Sequence, residues 1–293
     1  MSTSKLTLSD PDSGRSVDLP IVRGTLGDPA LDVARINRDL GYFTFDPGFV
    51  STCSTRSAIT YIDGDAGVLL YRGYPIEQLA EQSNFLEIAY LLINGELPNA
   101  AEYADFTEQV THHTMIHESL KTFMNGFHYN AHPMAMLCGM VGSLAAFYHD
   151  SLDPDNPHHR LVTAIRLIAK MPTLAAGAYR HSVGMPFVYP DNSLDFAANF
   201  LSMMWKTAEP RYEANPVLAR ALDVLFILHA DHEQNCSTTA MRTVGSAHAD
   251  PYISTAAAAS ALYGPRHGGA NEAVLTMLEE IGSVRNVDKY LAK

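Results

Sequence analysis

The chain has 293 residues, enough for one large core or for two unequal domains. Hydrophobic residues make up 47% and charged residues 18%, which is typical of globular proteins that fold in water. The net charge of −12 excludes an extended surface for nucleic acid or anionic membranes, because both repel acidic proteins. A ligand that carries phosphate would need a local basic cluster.

The cysteines and the first residues indicate a compartment. None of the three cysteines has CxxC spacing, and we expect buried thiols in a reducing compartment. They are Cys53, Cys138 and Cys236. The N-terminus has no apolar secretion core, and Asp10 and Asp12 disfavour a mitochondrial transit peptide. The longest apolar stretch, 133–147, is too short to span a bilayer. These features predict a cytoplasmic protein without a membrane segment.

Residues 1–74 are predicted to form a small strand-rich region. Alternating apolar and polar residues predict short strands within 4–24. Residues 25–60 mix glycine, proline, aspartate and aromatic residues and are predicted to be irregular. A hairpin is predicted over 56–72, where Asp63-Gly64-Asp65-Ala66-Gly67 supplies the turn.

From Pro75 onward the pattern becomes helical, and 75–293 is predicted to be a multi-helical large domain. Pro172 is predicted to break one helical stretch into two. The helix at 217–228 is apolar on nearly every side, so we expect it to be buried. The predicted helices are 75–83, 85–93, 101–110, 117–124, 132–148, 157–170, 174–182, 194–208, 217–228 and 270–281. The fold class is therefore mainly α with a minor strand-rich N-terminus.

A first polar run, 228–235, follows the apolar helix. His229 and His232 are three residues apart and share one helix face if the helix continues. Asp231 and Glu233 lie beside them as possible anionic orienters. A histidine in such a place is more often a cap than a catalyst. A metal pair would need a third ligand, and none stands at a recognisable spacing, so no metal is expected.

A second polar run, 264–272, places His267 before Gly268 and Gly269, and a helix follows. Two glycines permit close approach of a ligand or of another backbone. The positive end of the helix favours a neutral imidazole at His267. A neutral donor suits stabilisation of an enolate oxygen. These residues alone define a candidate polar site.

These two runs resemble the citrate synthase family. So do Ser57-Ala58-Ile59-Thr60-Tyr61-Ile62-Asp63-Gly64-Asp65 and Arg72-Gly73-Tyr74-Pro75-Ile76. The resemblance extends from near residue 5 to the end and is strongest to the type II enzymes of bacteria. It implies an acyltransferase of the tricarboxylic acid cycle that condenses acetyl-CoA with oxaloacetate to give citrate and CoA. Acetyl-CoA is a substrate, and no cofactor is implied.

The resemblance also implies residue roles and partners. His267 matches the catalytic histidine that donates to the enolate oxygen. His232 matches the histidine that binds oxaloacetate, with His229 supporting it. The family implies a homodimer or hexamer, and type II members suggest NADH as an effector near Tyr148, Arg166 and Lys170. His112 replaces an expected arginine of that region, and Glu209 stands where some members have a reactive cysteine.

One departure from the family is large. The Gly-Phe-Gly-His-Arg segment with a second catalytic histidine, the catalytic aspartate and the oxaloacetate-binding arginines have no counterpart before Lys293. We therefore expect the large domain to run into the start of a small domain whose remainder is absent. Residues 1–293 alone are then expected not to make citrate. Two alternatives stay open: 2-methylcitrate synthase, and a catalytically dead binding or oligomerisation partner of a full-length subunit.

Overall fold

The computed structural model describes residues 4–292. All strands lie before Ile76 and form two antiparallel three-stranded sheets, in the orders β1-β2-β3 and β4-β5-β6. The strands are β1 (Lys5–Ser9), β2 (Ser16–Val22), β3 (Ala30–Leu31), β4 (Thr60–Asp63), β5 (Val68–Tyr71) and β6 (Tyr74–Pro75). The strands within 4–24 and the hairpin of β4 and β5 agree with the sequence prediction, whereas β3 and β6 were not predicted.

Helices account for most of the remaining chain, and the predicted mainly α fold class is confirmed. The helices are α1 (Ile36–Leu40), α2 (Ile76–Gln82), α3 (Phe85–Asn94), α4 (Ala100–His112), α5 (Glu118–Met124), α6 (Pro133–Ser143), α7 (Pro157–Ser182), α8 (Phe196–Trp205), α9 (Pro216–Leu228), α10 (Cys236–Gly245), α11 (Pro251–Leu262), α12 (Gly269–Ile281) and α13 (Val287–Leu291). The domain boundary at residues 74 and 75 stays a prediction.

Most long helices begin at a residue that caps them. An asparagine or aspartate side chain accepts a hydrogen bond from a first-turn N–H in seven helices, α3, α4 and α7 to α11. Such a side chain satisfies donors that have no partner within the helix. In α3 and α4 a glutamate at the third helical position completes a capping box. Local sequence therefore fixes where these helices start.

The helix α7 is continuous, so the predicted break at Pro172 is wrong. It runs for 26 residues with Pro172 in its interior. Pro172 is buried, as are many residues on both sides of it. A proline inside a helix costs roughly 3 kcal/mol, and burial along the whole helix offsets that cost. By length and composition α7 could cross a membrane, but 50% of its most apolar window is buried inside the fold.

The largest core cluster lies where α5, α6, α7 and α11 meet. Leu120, Met140, Leu174 and Tyr252, one from each helix, are fully buried there. A Cβ on Gly142 of α6 would lie 3.4 Å from the Cβ of Ala256 on α11, so α6 and α11 pack closely. This packing places α11, and the turn that follows it, against the centre of the molecule.

The helix α6 ends earlier than predicted, at Ser143 instead of Tyr148. The Ser143 hydroxyl donates to the carbonyl of Met140 at 2.7 Å, inside the last turn. A 3-10 turn then continues over Leu144–Ala146. Side-chain bonds of this kind compete with the regular helix ladder and favour an end or a bend.

The prediction that α9 is buried is also wrong. Ile227 is fully buried, but Val217 and Leu225 are 73% and 51% exposed. One face of α9 packs on α2, α3 and α8. The opposite face has no partner among residues 4–292. Composition shows how apolar a helix is, but it does not show whether both faces are covered.

The cysteines are not buried as predicted. Cys53 and Cys236 are exposed, and Cys138 is half-buried in α6. Cys53 lies in an irregular segment before β4, where no core forms around it. Cys236 is the first residue of α10, a helix with no buried residue.

Candidate active site

The first histidine pair lies in the turn after α9. The helix ends at Leu228, and His229 occupies its C-cap position, so the two histidines do not share a helix face. Their rings lie side by side instead, with centroids 6.1 Å apart and planes tilted by 30°. Both side chains are exposed. The turn therefore presents two imidazoles side by side to solvent.

Each ring is oriented by a carbonyl of the helix that it follows. The His229 Nδ1 lies 2.8 Å from the Leu225 oxygen, and the His232 Nε2 lies 3.0 Å from the Leu228 oxygen. A carbonyl only accepts, so these two ring nitrogens carry hydrogens. A neutral His232 then presents Nδ1 as an acceptor. It donates to a ligand from Nδ1 only as the imidazolium.

The side chain of Tyr71 in β5 forms hydrogen bonds with the turn after α9. Its hydroxyl lies 3.1 Å from the carbonyl oxygens of both Ile227 and Asp231, and it accepts from the Asp231 N–H at 3.3 Å. The side chain is fully buried, and burial raises the pKa of the Tyr71 hydroxyl. Tyr71 thus fixes the end of α9 and the backbone between the two histidines. Sequence reasoning missed this role, although Tyr71 directly precedes the Arg72-Gly73 motif.

Glu233 connects the same turn to the hairpin of β4 and β5 by a hydrogen bond. Its Oε1 accepts from the Ile62 N–H of β4 at 2.7 Å. Its backbone has φ of 56°, in the left-handed region that side chains seldom adopt. The sequence suggested Glu233 as an orienter of the histidines, whereas the structure shows that it anchors their turn.

His267 is paired with a serine from another helix. The Ser237 Oγ lies 2.8 Å from the His267 Nε2 and 2.9 Å from the Ala258 oxygen. Ser237 belongs to α10, which begins directly after the turn that carries His232, and Ala258 belongs to α11. The structure thus connects the two polar runs through one hydroxyl. Sequence reasoning missed Ser237, and no local pattern marks it.

The single proton of the Ser237 hydroxyl sets the tautomer of His267. If the proton goes to the Ala258 carbonyl, the His267 Nε2 must donate to serine, and Nδ1 of the neutral ring is an acceptor. If the proton goes to Nε2, Nδ1 carries the hydrogen and can donate to a ligand. A neutral donor at Nδ1 therefore requires the hydroxyl to turn towards His267.

The glycine pair serves the chain's own turn. A Cβ on Gly268 would collide with the backbone oxygen of Leu262, and one on Gly269 would lie 3.1 Å from the Gly264 oxygen. The sequence left open whether a ligand or another backbone approaches here. The close approach in the structure is to the backbone of the turn between α11 and α12, which holds His267 half-buried.

Two carboxylates lie near these turns. The Asp231 carboxylate accepts from the Glu233 N–H at 3.2 Å. The Glu272 carboxylate is mostly exposed, with its Oε2 3.9 Å from the His132 Nε2. Neither forms a hydrogen bond with the His267 ring within residues 4–292. In the same range, no group of three or more His, Cys, Asp or Glu side chains is arranged to hold a metal ion.

The residues of the predicted effector region do lie together. The Arg166 guanidinium and the Lys170 ammonium lie 4.8 Å and 5.0 Å from the Tyr148 ring centroid. Arg166 forms two hydrogen bonds with the Asp150 carboxylate, at 2.7 and 2.9 Å. This pairing lowers the pKa of Asp150 to about 2.

Lys170 is buried and held by carbonyls. Its ammonium donates to the His113 and Met115 oxygens at 2.5 and 2.7 Å. Burial, and then the nearby charge of Arg166, lowers the pKa of Lys170 to about 8. Both basic residues of the cluster are therefore already paired within the chain.

Comparisons with known proteins show which family and which solved structures the chain is similar to. A family profile described as citrate synthase, C-terminal domain, matches residues 48–293. The citrate synthase of Pyrobaculum aerophilum is similar, with 34% identity and a TM-score of 0.73, over 91% of this chain and 63% of that one. The citrate synthase of Thermotoga maritima MSB8 has 32% identity and a TM-score of 0.71, over 85% and 64%. The Thermoplasma acidophilum citrate synthase, solved as a ternary complex with carboxymethyl coenzyme A and oxaloacetate, has 29% identity and a TM-score of 0.75, over 82% and 61%.

The helical fold and its two histidine-bearing turns define a protein built on this C-terminal domain. Because the profile covers most of the chain, the chain belongs to the citrate synthase family, as the sequence motifs predicted. It spans less than two thirds of the length of each of the three solved structures.

Proposed function

We propose that the chain functions as a type II citrate synthase, which joins acetyl-CoA and oxaloacetate to give citrate and CoA. The observation that carries the proposal is the contact of His267 with Ser237, which links the two family motifs in a structure similar to citrate synthases. Acetyl-CoA enters as a substrate, so the proposal requires no cofactor and no metal. We place the reaction in the cytoplasm.

In the proposed reaction, a base removes a methyl proton and negative charge develops on the thioester oxygen. His267 donates to that oxygen from Nδ1 while the Ser237 hydroxyl donates to Nε2. The enolate carbon then attacks the ketone carbon of oxaloacetate, and His232 donates to the ketone oxygen. Water hydrolyses the thioester of the resulting citryl-CoA, which releases citrate and CoA. A preorganised donor lowers the energy of such a charged state without having to reorganise.

The base remains unassigned in residues 4–292. Proton transfer requires a base within hydrogen-bond reach of the methyl group. The Asp231 carboxylate accepts from a backbone N–H, Glu272 is turned towards His132 and solvent, and neither contacts the His267 ring within residues 4–292. This observation favours a second candidate function, in which the chain binds substrates or assembles with a full-length subunit without catalysing the reaction.

The decisive experiment follows the fate of acetyl-CoA labelled with ¹³C in its acetyl group. The labelled compound and oxaloacetate are added to the purified chain, which we expect to form no citrate by itself, and to a fusion that supplies the family's catalytic aspartate and arginines; citrate is detected by NMR. In the fusion, we expect His267→Asn to lower citrate formation by about two to three powers of ten, the usual effect of losing one such donor. His128→Asn, in an exposed loop, is the control. Equal and measurable rates for the fusion and its His267→Asn variant would refute the role of His267.

The same assay separates the alternatives. Binding of both substrates without citrate formation, by the fusion as well as by the chain alone, would establish the non-catalytic partner. A preference for propionyl-CoA over acetyl-CoA would establish 2-methylcitrate synthase, which shares the chemistry and differs in its pocket. Failure to bind either substrate would refute the citrate synthase proposal.

A role of His232 as donor predicts proton uptake. Because its Nε2 already donates to the Leu228 carbonyl, donation from Nδ1 to oxaloacetate requires the imidazolium. Calorimetric titration with oxaloacetate in buffers of different ionisation enthalpy measures the protons taken up. We expect uptake in the parent chain and less in His232→Asn. No uptake in the parent would show that the ring rotates or accepts instead.

We propose NADH as an effector only in competition with Asp150. An anionic nucleotide at the Tyr148 cluster must displace Asp150 from Arg166, because Lys170 is buried and bound to two carbonyls. Asp150→Asn should therefore bind NADH more tightly than the parent chain in a fluorescence titration. Equal affinity would place NADH elsewhere or exclude it as an effector.

A further inference from the structure

Two thiols line one cavity on the hairpin side of the histidine turn. The cavity has a volume of about 990 Å³ and lies between residues 48–60 and α10. Cys53 contributes from the irregular segment, and Cys236 contributes as the first residue of α10. Both are exposed. The third cysteine, Cys138, does not line this cavity.

The residues beside the two cysteines contact a common side chain. The Nη1 of Arg242 lies 2.5 Å from the Gln234 Oε1 and 3.4 Å from the Ser54 Oγ. Ser54 follows Cys53 directly, and Gln234 lies shortly before Cys236 on the other wall. One guanidinium nitrogen thus connects the two walls next to the thiols.

The segment that carries Cys53, residues 48–57, has few contacts that restrict its conformation. Residues 48–57 have no regular secondary structure, and all except Thr55 are exposed. Their shape depends on the Asp46 carboxylate, which accepts from the Val50 and Ser51 N–H groups at 3.0 and 2.9 Å. A segment with so little buried surface opens at low cost. A change in the position of Cys53 therefore requires no unfolding of a helix.

We propose that Cys53 and Cys236 form a redox-responsive pair, which hydrogen peroxide oxidises to an intramolecular disulfide across this cavity. One thiolate attacks the O–O bond, which yields a sulfenic acid and one water. The second thiol attacks that sulfur, so an S–S bond forms and a second water leaves. Two thiols lose two electrons and two protons, one peroxide becomes two waters, and a dithiol reverses the reaction.

The disulfide would act beside the candidate active site. Cys236 directly precedes Ser237, whose hydroxyl contacts the His267 ring. The bond would tether the start of α10 to residues 48–57 and restrict the helix turn that holds Ser237. This inference goes beyond the proposed condensation and does not depend on it.

Peptide mapping tests the proposal on the whole chain. The reduced protein is treated with one equivalent of hydrogen peroxide, alkylated, and digested with trypsin without reduction. We expect peptide 39–56, which contains Cys53, to be joined to peptide 221–242, which contains Cys236. The chain should keep the mobility of a monomer on a non-reducing gel and lose two of its three titratable thiols. Dithiothreitol should restore both.

The cysteine variants make the test specific. Cys138→Ser should keep the link between the two peptides, and Cys53→Ser should abolish it while the circular dichroism spectrum stays unchanged. A link found only in species of twice the mass would overturn the proposal in favour of a contact between copies. Separate sulfinic acids on the two cysteines, or a link to peptide 122–160 with Cys138, would also overturn it.

Discussion

At the scale of single residues, polar atoms with one proton or one charge decide the chemistry of the candidate site. The Ser237 hydroxyl chooses between His267 and the Ala258 carbonyl, and the hydrogen on the His232 Nε2 is fixed by a helix carbonyl. Neither arrangement follows from the motifs themselves. Each depends on which backbone oxygen lies within reach of the side chain.

Removal of the Ser237 hydroxyl should change both stability and the state of His267. Ser237→Ala leaves the His267 Nε2 and the Ala258 carbonyl without this partner, and we expect a loss of about 1 kcal/mol in the free energy of unfolding. The ¹⁵N shifts of the His267 ring should move as well. Ser260→Ala is the control, because that exposed hydroxyl bonds only to Ala256 of its own helix. Unchanged ring shifts in Ser237→Ala would contradict the tautomer argument.

Lys170 should make stability rise with pH. Its pKa in the folded chain is about 8, below the ordinary 10.5, so the unfolded chain binds the proton more tightly. The buried charge destabilises the fold below pH 8, and this penalty is relieved as the pH rises to 10.5. From pH 8 to pH 10.5, the free energy of unfolding of the parent should therefore rise by on the order of 3 kcal/mol relative to that of Lys170→Met.

Urea unfolding of both proteins at several pH values measures this difference. Lys289→Met, which alters an exposed lysine, should follow the parent curve. Parallel curves for the parent and Lys170→Met would show that the ammonium is accommodated without a penalty.

At the scale of elements, the caps and the glycine turn place α10, α11 and α12 around the candidate site. The helix α11 has only three buried residues, so its position depends on close packing by small side chains and on its cap. Its Ala258 carbonyl oxygen lies 2.9 Å from the Ser237 Oγ, which also contacts the His267 ring. A substitution that destabilises the start of α11 should therefore change the environment of the His267 ring.

The cap of α11 offers a direct test. The Asp250 carboxylate accepts from the N–H groups of Tyr252 and Ile253 at 2.9 and 3.1 Å. Asp250→Ala should lower the free energy of unfolding by about 1 kcal/mol. Asp250→Asn keeps the acceptor and loses only the charge at the helix N-terminus, so its cost should be smaller. Thermal unfolding of the three proteins checks the order, and equal losses would mean that the charge, and not the cap, matters.

At the scale of the whole molecule, apolar helix faces remain uncovered. The helix α12 has no buried residue, and Leu275 and Leu278 are 62% and 54% exposed. Monomeric proteins seldom expose contiguous apolar patches of this kind. Together with the assembly that the family resemblance implies, this exposure leads us to propose that the chain forms a homodimer or hexamer. The helices α6 and α11 pack closely on each other within the chain, so these two faces are already covered.

Light scattering at micromolar concentration tests assembly through α12. We expect a dimer or larger species for the parent, and a shift towards the monomer for Leu278→Glu. Thr276→Glu is the matched control, because it places the same carboxylate about 200° around the helix. A parent that is monomeric, or a Leu278→Glu variant that keeps the mass of the parent, would rule out this contact.

The sequence by itself determined the features that depend on neighbouring residues. The start of α3 was predicted at Phe85 and that of α4 one residue late, at residue 101, because a cap acts within one turn of the chain. The hairpin turn at 63–67 and the turn glycines beside His267 were predictable for the same reason. The family followed from ordered motifs, which placed His229, His232 and His267 as candidates before any contact was known.

Only the tertiary structure decided what depends on distant contacts. Because residues on both sides of Pro172 are buried, α7 remains one helix. Val217 is exposed because no element within residues 4–292 packs on that face of α9. Tyr71 reaches Asp231, and Ser237 reaches His267, across gaps of 160 and 30 residues. Such pairings form because folding brings separate elements together, and no periodicity along the chain records which elements will meet. The roles of Tyr71 and Ser237 at the candidate site were therefore decided by packing.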